Sequence, residues 1–414
     1  MKTDQIQKVH KDWYKLDLSA IVYPTLQRRD FSSVYRLSVL LKEDIDPEIL
    51  QRAVNLTMPR FPTYKAAIRK GVFWRYLEPN DRPGPFVQED VKNPCQPMHF
   101  KGNNRYLVRI YYYRNRIALE AHHSLGDGTG GMCVLQTLTA TYLRLKGHSE
   151  IENGGFVLDI LGIPDPGELE DAYMKYANAK VCPPRPGEKT YRVRGTKEPF
   201  YTLNIIDGIM SVSEVMQVAK SYNATITEYL NSVLLYALMQ KQESEWHLKL
   251  RPVKIAMPVN LRRFFPSRTL RNFITMIYPG IDPRLGEYTF EEIVTQVHNY
   301  MRYYLNEKLL RGDITTNAET QRNPFIRIVP LFIKDLVVRQ FYTKIQDKNS
   351  SAGLTNMGAL KVPETMKPYI ERFDIYMGQP FSTRTNCAIA SFEDILTINF
   401  ASSIAETDVE RLFF

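Results

Sequence analysis

One strand–turn–helix unit constrains the fold of this chain more than any other stretch. The apolar run from Arg116 to Ala121 predicts a strand, and the run from Met132 to Lys146 has the periodicity of a helix. Between them lies His122-His123-Ser124-Leu125-Gly126-Asp127-Gly128, followed by Gly130 and Gly131. Glycines at this density favour a turn that needs positive φ or close backbone approach. Two adjacent histidines therefore stand at the end of a predicted strand, just before an Asp-Gly pair.

Strand geometry separates the two histidines. Successive side chains of a strand point to opposite faces, so His122 and His123 face apart if the strand persists. Two rings on opposite faces cannot easily bind one ion, and we therefore expect no metal site here. One imidazole can face a cavity while the other makes structural hydrogen bonds. The unperturbed pKa of histidine, about 6.5, suits proton transfer near neutrality.

The same segment matches every fixed position of the HHxxxDG signature. The chain thereby resembles the CoA-dependent acyltransferase superfamily with the chloramphenicol acetyltransferase-like fold. That superfamily includes condensation domains of nonribosomal peptide synthetases, plant acyltransferases and alcohol O-acetyltransferases. The resemblance implies that His123 is the general base and that Asp127 maintains the geometry of the site. His122 then has a structural or supporting role, and Gly128 completes the motif.

The glycine-rich turn has a competing interpretation as a phosphate-binding loop. The spacing Gly126-x-Gly128-x-Gly130-Gly131 lacks the Lys-Ser/Thr that follows in such loops, and it does not fit the dinucleotide fingerprint. We therefore expect no phosphate cradle at this turn.

The resemblance also implies the architecture. It predicts an α/β (α+β) fold of two chloramphenicol acetyltransferase-like lobes, each a mixed sheet with flanking helices, with an active-site channel between them. Composition predicts where the lobes begin and end. Residues 1–160 form the N-terminal lobe with the motif, 161–195 form a crossover rich in proline and glycine, and 196–414 form the C-terminal lobe.

Composition narrows the partners and the compartment. The net charge of +9 over 414 residues is a mild excess without a block of like charges, so we expect no nucleic-acid partner. A basic surface would suit an anionic thioester donor, and an evenly solvated surface explains the charge equally well. The first residues, MKTDQIQKVHKDW, lack a signal-peptide core, and no apolar run is long enough to span a membrane. The four cysteines, at 95, 133, 182 and 387, form no C-x-x-C pair, so free thiols in a cytoplasmic protein are expected.

Local signals predict several element boundaries. Asp46 followed by proline predicts the start of a helix. Ser/Thr-x-x-Glu patterns predict three further helix starts, at Ser211, Thr225 and Thr289. The run from Val72 to Leu77 predicts a strand.

A basic and apolar segment runs from Phe325 to Lys344. It predicts a helix interrupted at Pro330, and its apolar stripe is more typical of a helix packed in a core. Peripheral membrane attachment is the alternative. We therefore expect the stripe to be buried and expect no membrane contact.

Three segments of the second lobe could complete the site. Arg262 follows the apolar strand that begins at Val253, and related acyltransferases supply from such a position an arginine that pairs with the motif aspartate; the adjacent Arg263 is the alternative. A guanidinium can offer a buried carboxylate two parallel donors. Asn272 is a candidate for positioning the acyl donor or for holding a loop. Its surroundings, Thr269 to Phe273, resemble the alcohol O-acetyltransferase branch more than the condensation domains.

The strand near residue 354 is the other candidate contributor. In this fold a Ser or Thr on such a strand donates to the oxyanion, which makes Thr355 or Asn356 the candidates. The DFGWG motif of the plant enzymes is replaced by the stretch from Asp374 to Gly378, which keeps only its first and last residues. This departure moves the chain away from the plant branch.

Together these features predict an acyltransferase that moves an acyl group from CoA to an alcohol or amine by general-base catalysis. Acyl-CoA is then a co-substrate, and no permanently bound cofactor is needed. The alternatives are a condensation-type enzyme whose donor is a carrier-protein thioester, and a non-catalytic binding protein of the same fold.

Overall fold

Two large β-sheets organise the structure, which is a computed structural model. It describes residues 13–27, 31–181, 187–245, 247, 249–344, 349–378 and 383–414. Two of the predictions above concern Cys182 and the first twelve residues. These residues lie outside the described part of the chain. Cys95, Cys133 and Cys387 are free and buried.

The first large sheet has five strands in the order β13-β2-β7-β6-β5. Its strands are β2 (Val34–Leu41), β5 (Val87–Glu89), β6 (Val108–Tyr113), β7 (Arg116–His122) and β13 (Ile370–Met377). A smaller sheet beside it pairs β1 (Tyr14–Lys15), β4 (Arg75–Pro79) and β3 (Ala66–Lys70). Helices α2 (Pro47–Thr57) and α3 (Gly128–Leu145) pack against this part of the chain and bury a common core. Asp46 caps α2 as predicted, accepting from the Glu48 and Ile49 N–H groups.

The second large sheet has seven strands, with the path β10-β9-β12-β14-β15-β8 and β11 paired to β9. Its strands are β8 (Asn204–Ser211), β9 (Val253–Asn260), β10 (Ile274–Ile277), β11 (Gly280–Ile281), β12 (Ala352–Ala359), β14 (Thr385–Phe392) and β15 (Ile395–Ser402). Strand β9 alternates buried and partly exposed residues along its whole length. One face therefore packs on a separate helical core, and the other faces the first lobe.

The remaining helices lie in the crossover, around the second sheet and, for α1 and α10, beside the hairpin of β3 and β4. They are α1 (Tyr23–Leu26), α4 (Ala172–Tyr176), α5 (Val212–Ser221), α6 (Ile226–Ser244), α7 (Phe290–Tyr304), α8 (Glu307–Arg322), α9 (Pro324–Ile328), α10 (Leu331–Lys344) and α11 (Asp408–Phe413). Capping boxes with both reciprocal hydrogen bonds begin α6 at Thr225 and α7 at Thr289. Mixed sheets with flanking helices in two lobes give the α/β architecture that the sequence predicts.

Strand β13 ties the two halves together. It lies between β12 and β14 in sequence, yet it pairs antiparallel with β2 of the first sheet, with Asp374 opposite Ser38. The first sheet is therefore completed by a strand from the C-terminal half of the chain.

Two sequence predictions are partly wrong in ways that matter later. The strand predicted from Val72 to Leu77 forms but begins later, because β3 ends at Lys70 and β4, the second arm of a hairpin, begins only at Arg75. Val72, Phe73 and Trp74 form its exposed tip. The predicted helix from Phe325 to Lys344 forms in two pieces around Pro330, but most of its apolar side chains are exposed rather than buried in a core. Among the described residues no helix is both long and apolar enough to cross a bilayer.

The glycines of the motif allow the second lobe to approach helix α3. A Cβ atom on Gly130 would lie 1.9 Å from the Leu270 carbonyl oxygen and 2.8 Å from the Tyr64 hydroxyl. A Cβ atom on Gly126 would lie 2.4 Å from the same carbonyl. Glycine is therefore required here by contact between the lobes.

We expect Gly130→Ala to lower the free energy of unfolding by about 3 kcal/mol, because the added methyl forces the Leu270 backbone away from α3. Chemical denaturation of both proteins measures this. Gly187→Ala is the matched control, since nothing lies within 4 Å of its added Cβ. Equal stability of the two variants would contradict the close contact.

Candidate active site

The end of strand β7 delivers the two histidines to different surroundings. His122 is fully buried, and its Nδ1 accepts the Ser124 N–H at 3.2 Å while Phe100 packs edge-on against the ring at 5.4 Å. Its Nε2 has no hydrogen-bond partner in the described part of the chain. Burial, with a smaller effect from His123, lowers the pKa of His122 to about 3. This histidine therefore stays neutral and has a structural place in the turn.

His123 lies at the junction of the lobes and keeps some accessible surface. Its ring stacks on Tyr23 with centroids 4.6 Å apart, and Tyr35 packs against it at 4.8 Å. The main-chain N–H donates to the Ser33 carbonyl at 2.9 Å. Both the position and the plane of the imidazole are therefore fixed by neighbours.

Asn272 from the second lobe determines which ring nitrogen of His123 is free. Its Nδ2 donates to the Asp17 carboxylate at 3.1 Å and to the His123 carbonyl at 2.9 Å. A carboxylate only accepts, so the amide must present Oδ1 to His123 Nδ1, 3.2 Å away. His123 Nδ1 then carries the proton, and Nε2 is left with its lone pair. The sequence analysis predicted that Asn272 positions the acyl donor or holds a loop. In the structure its side chain is hydrogen-bonded to His123.

Asp17 is the residue of this hydrogen-bond network that the sequence analysis did not identify. It is fully buried and also accepts the Ala20 N–H at 2.8 Å, while Arg271 Nε lies 3.7 Å away. Burial raises its pKa, and Arg271 together with the N–H donors opposes this effect. Asp17 and Asn272 are 255 residues apart in sequence, and neither stands in a pattern that links them. The sequence offers no signal for this pair.

Burial also acts on His123 itself. It lowers the pKa of His123, and the Asn272 hydrogen bond and the nearby Asp127 charge partly oppose that shift. The neutral imidazole is therefore retained at pH values where an exposed histidine would already carry a proton.

Asp127 has a different kind of environment. It caps helix α3 by accepting the Thr129 and Gly130 N–H groups at 3.1 and 3.3 Å. From the second lobe it accepts the Phe273 N–H at 2.9 Å and the Arg262 guanidinium at 2.8 and 3.3 Å. Its carboxylate is thus surrounded by donors on every side, which suits it to fixing geometry rather than to moving protons.

Arg262 is the partner of Asp127 in the structure, and its neighbour Arg263 is not. Its Nε donates to the Thr269 carbonyl at 2.9 Å, and Nη1 also donates to Asn260 Oδ1 at 3.2 Å. Asn260 in turn donates to Thr129 Oγ1 at 3.2 Å. The end of β9 is therefore bonded directly to the start of α3.

Strand β12 brings the two oxyanion candidates to opposite faces of the second sheet. The Asn356 amide donates to Thr227 Oγ1 of helix α6 at 2.9 Å, on the face away from the first lobe. Met357 lies on the other face, where its sulfur would be 2.9 Å from a Cβ on Gly128. Thr355 shares that face by strand alternation. Of the two candidates, Thr355 alone is directed to the junction of the lobes.

We expect Asp127→Ala to lower the free energy of unfolding by about 3–5 kcal/mol, because it strands a guanidinium that is mostly buried. Thermal and denaturant unfolding measure this. Glu43→Ala is the control, since it removes an exposed ion pair with Lys146 and should change stability little. Wild-type stability in Asp127→Ala would contradict the assigned role.

Comparison with known proteins gives the fold its context. No protein-family model matches this sequence, and no curated protein matches it either. Solved structures do match over nearly the whole chain. Polyketide synthase associated protein 5 from Mycobacterium tuberculosis superposes with a TM-score of 0.60 at 14 % identity, covering 96 % of this chain and 95 % of that one.

Two further structures extend the comparison. Trichothecene 15-O-acetyltransferase from Fusarium sporotrichioides has a TM-score of 0.54 at 14 % identity, covering 96 % of this chain and 92 % of that one. The starter condensation domain of rhizomide synthetase, crystallised with C8-CoA and Leu-SNAC, has a TM-score of 0.58 at 10 % identity, covering 97 % and 90 %. At this identity the likeness concerns the fold. The protein has the two-lobed fold of condensation domains and CoA-dependent acyltransferases.

Proposed function

We propose that this protein is an acyltransferase that moves an acyl group from a CoA thioester to an alcohol or amine, with His123 as general base. One observation carries the proposal: the Asp17–Asn272 pair holds the proton of His123 on Nδ1, which leaves Nε2 free to accept another. Acetyl-CoA is the first donor to test. The fold shared with a trichothecene acetyltransferase and with a domain crystallised with C8-CoA supports this class of reaction.

The reaction follows from that geometry. His123 Nε2 takes the proton from the acceptor hydroxyl or amine as its oxygen or nitrogen attacks the thioester carbonyl. The tetrahedral intermediate carries its negative charge on the former carbonyl oxygen, and Thr355 is the candidate donor to it. Collapse breaks the carbon–sulfur bond, and the imidazolium returns its proton to the leaving thiolate. No acyl-enzyme is formed on this route.

The second candidate function differs only in the donor. One neighbour in fold is the starter condensation domain of rhizomide synthetase, so a carrier-protein thioester could replace CoA. Thiol release from acetyl-CoA and from an acetylated carrier protein, each with the same alcohol panel, distinguishes the two donors. Activity with the carrier protein alone would favour the condensation-type enzyme. Absence of release from both donors would favour a binding protein of the same fold.

We expect His123→Ala to lower kcat by about 10²–10⁴-fold, the usual contribution of a positioned general base. Thiol release measures the rate, and unfolding curves show that the fold is retained. His148→Ala is the control, because this histidine lies beyond the far end of α3 and contacts Glu150 and Tyr369. Near wild-type turnover in a folded His123→Ala protein would contradict the proposal.

We expect Asn272→Ala to lower kcat by about 10²-fold with a small change in KM, because the imidazole loses its orientation but the binding surface remains.

The acid limb of kcat/KM in the wild type should have its midpoint below 6.5, since the pKa of His123 is lowered and the base form persists on acidification. Full pH profiles of both proteins measure this. A wild-type midpoint above 6.5, or an effect of Asn272→Ala on KM alone, would contradict the positioning role.

A further inference from the structure

Helices α9 and α10 expose an apolar surface, which we call the apolar face. It consists of Phe325, Ile328, Phe332, Ile333, Leu336 and Val337. All of these except Ile333 are 60–77 % exposed. A contiguous set of large apolar side chains in water marks an interaction surface. The expectation that this stripe packs in the core is wrong for these residues.

The orientation of α10 is the reverse of that of an ordinary surface helix. Its acidic residue, Asp335, faces the protein, where it accepts two bonds from Arg75, at 2.8 and 2.5 Å, and one from Thr25, at 2.9 Å. Leu331 and Val338, one turn to either side of Asp335, are partly buried on the same face. Asp335 therefore fixes the helix through polar contacts, and most of the large apolar side chains of α10 face solvent and are available to a partner.

The hairpin tip extends this surface. The Leu331 N–H donates to the Val72 carbonyl at 2.8 Å, and Lys334 Nζ donates to the Phe73 carbonyl at 2.9 Å. Beside them Trp74 is 53 % exposed. Tryptophan and phenylalanine beside basic residues are typical of the headgroup region of a bilayer.

Charge identifies the partner. Arg322 is exposed at the end of α8, Arg327 is exposed in the last turn of α9, and Lys70 is exposed beside the hairpin tip. Asp335, the acidic residue of α9 and α10, is already paired with Arg75, and Glu319, one turn before Arg322 in α8, is the exposed acid beside these cations. We propose that the apolar face, with the hairpin tip and these cations, docks the protein onto the surface of an anionic lipid bilayer without crossing it.

A second copy of this chain fits the face less well. Two copies meeting face to face would bring Arg322 and Arg327 of each together, while Asp335 is already committed. Such like-charge contact opposes association, whereas acidic headgroups meet the same cations with the opposite charge. The docking inference stands on these residues alone and does not depend on the proposed acyl transfer.

The test is co-sedimentation with vesicles of phosphatidylcholine and phosphatidylglycerol, compared with vesicles of phosphatidylcholine alone. We expect the wild type to bind the anionic vesicles, and Phe332→Gln with Leu336→Gln to weaken that binding by about 100-fold. Arg322→Gln with Arg327→Gln should weaken it by about tenfold, and only on anionic vesicles. All four side chains are exposed, so these variants remove little packing.

The matched control is Leu161→Gln with Leu285→Gln, which removes two apolar side chains that are 88 % and 81 % exposed elsewhere on the surface. It should bind vesicles like the wild type. The inference is overturned if the wild type does not sediment with anionic vesicles, or if Phe332→Gln with Leu336→Gln binds them as well as Leu161→Gln with Leu285→Gln does. It is also overturned if only the arginine pair matters, which would mean adhesion without apolar contact. A lipid-free dimer that Phe332→Gln with Leu336→Gln dissociates would assign the face to a second copy.

Discussion

The contact between Asp127 and the second lobe determines where everything else at the site lies. The carboxylate caps α3 with its first-lobe bonds and holds the Arg262 guanidinium and the Phe273 N–H with its second-lobe bonds. Because Phe273 is fixed in this way, the residue before it, Asn272, is delivered to His123. A buried ion pair adds little net stability compared with an apolar contact of the same size. Its value here is positional, since one carboxylate aligns a helix, a loop and, through that loop, an imidazole.

Two buried carboxylates have different electrostatic roles at the junction of the lobes. Asp127 forms a salt bridge with Arg262 and accepts hydrogen bonds from several N–H groups. Asp17 lies 3.7 Å from Arg271 and acts on His123 only through the neutral amide of Asn272. An amide between carboxylate and imidazole fixes the tautomer without placing a full negative charge against the ring. Burial can therefore keep the pKa of His123 low. A carboxylate bonded directly to the ring would raise that pKa. The result is a neutral base with a free Nε2.

Local signals account for the parts of the fold that the sequence predicts well. Asp46, Thr225 and Thr289 satisfy N–H groups three residues away, so their caps are encoded within one helical turn. The turn after β7 was predictable for the same reason, and the resemblance carried the expectation of an arginine after β9. Asp17 was not predictable, because its partner lies 255 residues away and no periodicity connects them. The stripe after Phe325 shows another limit: periodicity indicates that a helix has an apolar face but not which way it points. The ion pair between Arg75 and Asp335 decides that orientation, and it joins segments far apart in sequence.

The short helix α1 connects the apolar face to the candidate active site. Tyr23 at its start stacks on His123. Two residues later, the Thr25 hydroxyl donates to the Asp335 carboxylate and accepts from Arg75 at 3.0 Å. Only one turn of helix therefore separates the imidazole from the underside of α10. If both proposals hold, a substrate that partitions into the bilayer would meet the protein beside the residues that line His123. An apolar acceptor or a long acyl chain gains most from that proximity, because the bilayer concentrates apolar molecules at the surface beside this helix.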